Sequence, residues 1–372
     1  MKYCTRCLLP DSKPYISFDE QGICAACRAH EGKNKAERGI DWTARAHEFD
    51  RLIEEVRFRR APLYDALVPV SGGKDSISQV HRLLGRGLRI LAVNVDYGVK
   101  TDVGQRNLAC IPRMGANLIV YTPTQPLHRR LIRLGFEEYG DPDLLSHTML
   151  HAFPLRVAMQ LDVPLVLNGE NSAFEYSGES GNSAGVTREW FNRYAANAGN
   201  TPQVIAQRHS IPYTELVAYD FPDGFETSRT RAMFCSHYFH WDSETNLGIA
   251  RQYGFEALPH AAEGTYRNYV GIDERVIHRV HQYFKVLKFG YGRATDHACE
   301  DIRNGRLTRE AAKELVRKHD LVEPSEELVQ SFTAHIDITR TRFVDVMERY
   351  RNPAIWRRSG DGTWEIPGHL QD

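Results

Sequence analysis

A chain of 372 residues with 42% hydrophobic side chains can bury a sizeable core and needs no covalent staples to do so. Its formal net charge of −1 gives no overall attraction to nucleic acid or to an anionic membrane. No apolar stretch follows Met1-Lys2-Tyr3-Cys4 and no long uncharged apolar segment occurs later, so the expectation is a cytoplasmic protein that engages neither nucleic acid nor membrane.

Four of the seven cysteines lie in the first 27 residues, as Cys4 and Cys7, then sixteen residues, then Cys24 and Cys27. Two CxxC pairs let four thiolates surround one tetrahedral zinc, and each short pair turns backbone amides toward its sulfurs. The segment is too polar to form its own core, so coordination would supply its stability. Structural zinc is the expectation, with a redox or sulfur-carrying role as the alternative. Residues 42 to 60 then carry Phe49, Leu52, Ile53 and Val56 on one helical side and read as a connector, with a boundary near residue 60.

From Tyr64 the pattern becomes short apolar runs separated by helical stretches. Ala66 to Val70 reads as a strand, Asp75 to Leu84 as a helix, Arg89 to Val95 as a strand, Val103 to Met114 as a helix and Asn117 to Tyr121 as a strand. A helix containing Leu155, Val157 and Met159 leads through Pro164 into the strand Leu165-Val166-Leu167. This alternation predicts an α/β fold, a parallel sheet with helices on both faces. Ligands of such sheets sit beyond the carboxyl ends of the strands, here near Ser71, Asp96 and Gly169. Pro69 conflicts with an interior ladder position and predicts a bulge or an irregular strand end. Residues 171 to 201, rich in Gly, Ser, Asn and Ala, read as a substrate loop or lid. Beyond residue 273 the chain reads as helical, with Val276, Val280, Phe284 and Leu287 aligned before Gly290 and with Thr308 and Thr339 as caps. The resulting division is 1–60, 61–272 and 273–372.

The chemistry concentrates in Ser71-Gly72-Gly73-Lys74-Asp75-Ser76. A glycine pair between a strand and a helix presents successive N–H groups to a phosphate, and Lys74 adds a mobile positive charge. The run is not Walker A, which requires GxxxxGK[ST]. It is SGGKDS, the form found in PP-loop ATP pyrophosphatases. Asp75 is a candidate magnesium ligand, because hard magnesium prefers oxygen donors beside phosphates, or an acceptor for the incoming nucleotide. Asp96 ends the second strand, where it reads either as a ribose or metal contact or as a turn residue. Glu170, at the end of a later strand, is read as a ligand for magnesium, amine or sugar, or as structural. Cys110 reads as core, Cys235 with His237 as weak evidence for a nucleophile, and His147 and His151 as pocket or core histidines. Arg129, Arg130 and Arg133 read as a solvated helix face.

The segments YCTRCLLPDSKPYISFDEQGICAAC, VSGGKDS, VLNGENSAFEYSG, EGTYRNYVGIDE and KFGYGRATDHACEDIRNGRLTRE together resemble the N-acetyl sugar amidotransferases, which modify sugars of bacterial surface polysaccharides and flagellar glycans. The resemblance covers nearly the whole chain; its last three segments are far more specific than the glycine loop. It implies conversion of an acetamido group to an acetamidino group, with ATP activating the amide oxygen as an adenylate, ammonia attacking, and AMP and pyrophosphate leaving. It implies ATP, magnesium and structural zinc as cofactors. Lys74, Asp75 and Glu170 would be catalytic. Ser71, Gly72, Gly73, Lys74, Ser76 and Asp96 would hold the nucleotide. By the same resemblance Glu175, Tyr176, Glu263, Tyr266, Arg267, Lys288 and Arg293 are candidates for the sugar site, Lys288 and Arg293 serving either a phosphate or carboxylate or the docking of the helical region. Ammonia would come from a HisH-like glutaminase with a HisF-like subunit, since nothing in the chain resembles a glutaminase. The competing readings are a PP-loop tRNA sulfurtransferase, which also joins SGGKDS to CxxC pairs, and a scaffold without catalysis. The identity of the acetamido sugar, a nonulosonic acid or a hexose, is open.

Overall fold

The computed structural model describes residues 1–34, 39–175, 184–196 and 199–371. Five strands, β1 (Ala66–Pro69), β2 (Ile90–Val95), β3 (Asn117–Tyr121), β4 (Leu165–Asn168) and β5 (Arg231–Phe234), form one sheet in the order β3-β2-β1-β4-β5. Every pairing is parallel. The three inner strands are apolar on both sides because both faces are covered. On one face Val68, Ile90, Ala92 and Leu167 pack against the helices Trp42–Phe58 and Lys74–Leu84. On the other, Leu67, Leu91, Val93 and Val166 pack against the helix Leu144–Gln160 and against Trp190, Phe191 and Phe221. The connector helix buries Phe49, Leu52, Ile53 and Val56, the four residues its periodicity singles out, and Asp41 caps it by accepting from the Ala44 amide.

Pro69 is an irregular strand end rather than a bulge. The ladder to β2 carries on past it, with Val70 N–H donating to Val93 O at 2.9 Å. The ladder to β4 stops at Leu67↔Val166, so the missing proline N–H falls where nothing needs it. The expected helix Val103–Met114 is instead two pieces, Asp102–Leu108 and Cys110–Arg113, because Pro112 has no N–H to continue the ladder. β5 has no counterpart in the sequence reading; only two of its four residues are buried. Residues 176–183 and 197–198, the centre of the expected lid, lie outside the described residues, as does Tyr176.

The C-terminal part is helical: Ile277–Phe289, Arg293–Arg303, Arg309–His319, Glu326–Ile336 and Arg340–Tyr350. Thr308 and Thr339 cap the third and fifth by accepting the amides of Ala311 and Arg342. Val280, Phe284 and Leu287 share a core with Phe332 and Phe343 and with Ile132 and Phe136 of the helix Gln125–Tyr139, so this region is packed directly on the α/β part. The N-terminal cysteines join a separate core with Tyr291, Ala298, Ala312 and Val316. No helix among the described residues is long and apolar enough to cross a membrane.

Candidate active site

The order β3-β2-β1-β4-β5 reverses direction between β1 and β4, and the crevice beyond their carboxyl ends is where open parallel sheets bind ligands. The run Ser71-Gly72-Gly73 leaves β1 at this point and enters the helix Lys74–Leu84. Gly72 has φ of +90°, and a Cβ there would stand 2.8 Å from the Leu108 amide nitrogen, so only glycine fits on both counts. Gly73 is extended at the N-cap and supplies no capping side chain, which leaves the first-turn amides available to an anion. Ser76 donates to Gly73 O at 2.9 Å and Ser71 Oγ accepts from Gly73 N–H at 3.2 Å, fixing the turn.

Lys74 is buried, reaches Asp75 Oδ2 at 2.6 Å, and lies 5.8 Å below the Tyr269 ring centroid. The other oxygen of Asp75 accepts from Asn246 Nδ2 at 2.8 Å, and Asn246 Oδ1 accepts from Ser78 at 2.9 Å. Asn246 sits on the helix Ser243–Arg251, which also carries Glu244, the acceptor of the Tyr269 hydroxyl. Glu170 follows β4; burial first, then the negative charge of Asp75, pushes its carboxyl up. Two carboxylates facing one crevice are the oxygen donors that a hard divalent cation prefers, and such a cation offsets their repulsion. Asp75 and Glu170 therefore fit a magnesium beside the phosphate loop. Asp96 ends β2, accepts from Gly98 N–H at 2.9 Å and lies 3.7 Å from Lys100, so it serves the turn while facing the same edge of the sheet.

The sugar-site candidates separate into groups. Glu175 borders a small recess of about 50 Å³ with Trp241, Glu300 and Arg303. The same Trp241 ring covers Gly169, where a Cβ would stand 3.4 Å from it. Glu263 and Arg293 line a cavity of about 330 Å³ with Thr265, Gly271, His278 and Arg279. Arg267 is committed to Glu300 and Asp301 at 2.7 Å each, and Tyr266 donates to Asp301. Those carboxylates are also held by Arg306, so Tyr266 and Arg267 fasten the segment to the helix Arg293–Arg303. Lys288 is half-buried, and its amine is pushed down by burial and held up by Asp141. His297 marks the sign of the local field: burial, then the charges of Arg267, Arg293 and Lys74, force its ring well below the ordinary histidine range.

The residues Cys4, Cys7, Cys24 and Cys27 converge, all four sulfurs lying within 4.8 Å of one another. The sulfurs of Cys4 and Cys27 are 3.9 Å apart and those of Cys7 and Cys24 3.7 Å. A tetrahedral zinc with Zn–S near 2.3 Å has S···S edges of about 3.8 Å, so the set fits that ion, with no open position. Cys235 is fully buried, and burial pushes its thiol up to about 12, which keeps it protonated. His147 and His151 stand edge to face at 5.0 Å, the second against Trp190, in a packed aromatic group.

Sequence reasoning missed Asn246, Tyr269 and Trp241. Tyr269 belongs to the segment EGTYRNYVGIDE, so its neighbourhood was marked; Asn246 and Trp241 carry no local signal.

Residues 263–370 match a family model described as the C-terminal domain of WbpG-like LPS biosynthesis proteins. No curated protein matches the chain. Among solved structures, NMN synthetase from Francisella tularensis is 12% identical, with 50% of this chain and 81% of that chain covered and a TM-score of 0.29. NAD+ synthetase from Burkholderia pseudomallei is 14% identical, with 62% and 91% covered and a TM-score of 0.28.

Proposed function

We propose that the chain is an ATP-dependent amidotransferase that converts a sugar acetamido group to an acetamidino group. The observation that carries this reading is the phosphate cradle of Gly72, Gly73 and Lys74 at the switch point, set beside a polar cavity, lined by arginines and glutamates in equal number, within the segment matched by the WbpG-like domain. ATP lies with its phosphates on the first-turn amides and Lys74, and Asp75 and Glu170 would hold a magnesium, which would supply neutralisation of phosphate charge. The acetamido oxygen attacks the α-phosphorus and pyrophosphate departs; Lys74 meets the charge that develops on it. Ammonia then adds to the amide carbon and AMP leaves with the former amide oxygen. An amide oxygen is a poor leaving group and an adenylate a good one, which is why ATP is spent. The sugar occupies the cavity of about 330 Å³, with Arg293 meeting a phosphate or carboxylate it bears. Ammonia is supplied by a HisH-like glutaminase with a HisF-like subunit. The sulfur-transfer reading has less support, because all seven cysteines are buried and four of them suit a closed metal site.

The test uses an acetamido sugar labelled with heavy oxygen in its carbonyl, together with ATP, magnesium and ammonium, and follows the label by mass spectrometry. The label is expected in AMP, and Lys74→Ala is expected to lower turnover roughly tenfold or more, about 1.4 kcal/mol, with little change in sugar affinity. Formation of ADP and phosphate would refute the adenylation route.

A further inference from the structure

The amides of the cysteine knuckles point at sulfurs. Those of Cys7 and Cys24 approach Cys4 Sγ at 3.5 and 3.2 Å, that of Leu9 approaches Cys7 Sγ at 3.5 Å, and that of Cys27 approaches Cys24 Sγ at 3.4 Å. One amide of the first knuckle breaks the pattern. Leu8 N–H points at 3.3 Å to Cys299 Sγ, a sulfur outside both pairs and 291 residues away. Cys299 is fully buried on the helix Arg293–Arg303 and shares one core with the four cysteines. Arg303, a turn further along that helix, has Cys299, Cys7, Cys27 and Cys24 as its charge neighbours. Four thiolates around a divalent ion carry a net charge of two minus, which a guanidinium at this place offsets.

We propose that Cys299 is a reserve ligand of the metal site, outside the coordination sphere while the other four cysteines hold the ion and bound to it when Cys7 is lost. On entering, the Cys299 thiol gives its proton to solvent and forms a metal–sulfur bond in place of the missing one; no electrons are exchanged. Because the helix that carries Cys299 also carries Glu300 and Asp301, the partners of Arg267, the exchange keeps the metal unit fastened to the wall of the candidate active site.

The inference rests on the reading of the cluster as a metal site, and cobalt(II) titration of the full-length chain separates the two. The wild type and Cys299→Ala are expected to show the same four-thiolate spectrum. Cys7→Ala is expected to keep a four-thiolate spectrum, whereas Cys7→Ala/Cys299→Ala shows three thiolates and binds roughly tenfold or more weakly. If Cys7→Ala fails to fold, Cys7→Ser, which keeps a small polar side chain, takes its place. Identical spectra and affinities for the single and double variants would overturn the proposal, as would failure of both Cys7 variants to fold with metal. A wild type that binds no cobalt would instead overturn the metal reading itself.

Discussion

Replacing Asn246 with alanine removes two hydrogen bonds at once, the one that fixes the Asp75 carboxylate at 2.8 Å and the one that satisfies the Ser78 hydroxyl at 2.9 Å. Asn246 and Ser78 are both fully buried, so water does not readily replace the lost amide. An unsatisfied buried hydroxyl costs about 1–3 kcal/mol, and losing a hydrogen bond to a charged group about 1.5–3 kcal/mol. Asp75 is partly exposed and recovers some of the second cost from solvent, which leaves an expected destabilisation of about 2–4 kcal/mol. Urea denaturation measures it. The functional effect is distinct: Asp75, released on one side, turns toward Lys74 and no longer presents its oxygens beside Glu170. The magnesium concentration for half-maximal ATP turnover should rise roughly tenfold, about 1.4 kcal/mol. A folded Asn246→Ala protein with an unchanged magnesium requirement would refute the assignment of Asp75 as a positioned metal ligand.

Gly72→Ala must place a Cβ against the backbone of Leu108 at a φ of +90°, so a stability loss of about 1–3 kcal/mol is expected together with loss of ATP binding, readable by calorimetry. His128 is fully buried between Tyr97 and Tyr219, and burial, followed by the charge of His335, lowers its ring from 6.5 to about 4. Between those values the unfolded chain binds a proton that the folded chain refuses, so stability is full above pH 6.5 and falls as the pH drops toward 4, by on the order of 3 kcal/mol. His128→Gln should flatten that part of the stability profile, and an unchanged slope would show that other groups set it. Replacing Cys4, Cys7, Cys24 and Cys27 together by serine should abolish zinc in elemental analysis and speed hydrogen exchange in the helices Arg293–Arg303 and Arg309–His319, which share that core. Equal zinc in the variant and the wild type would remove the assignment.

What the sequence makes legible is what is encoded locally. The runs that become β1, β2, β3 and β4 are apolar at strand length. The glycine pair needs a turn, the CxxC spacing suits a metal, and Thr308 and Thr339 precede helical stretches as caps do. What escapes is set by partners far away in the chain. Asn246 meets Asp75 across 171 residues, and nothing in its own helix marks it. β5 is four residues with only two buried, below the length at which alternation is readable. Arg267 has the look of a ligand-binding arginine in its segment, yet its charge is consumed by Glu300 and Asp301, which a reading without the fold cannot know.

The stretch Glu263–Glu274 is a partition with two working faces. Tyr269 lies above Lys74, and Asp273 O receives the Thr101 amide beside the glycine loop. Glu263, Thr265, Val270 and Gly271 face the larger cavity. A molecule in that cavity that displaces the partition carries Tyr269 and Asp273 with it and so alters the grip on phosphate. Linkage makes the traffic two-way: whatever factor the cavity's occupant applies to nucleotide affinity, the nucleotide applies to the occupant, and a shared wall of this kind couples the two places without any hinge between domains.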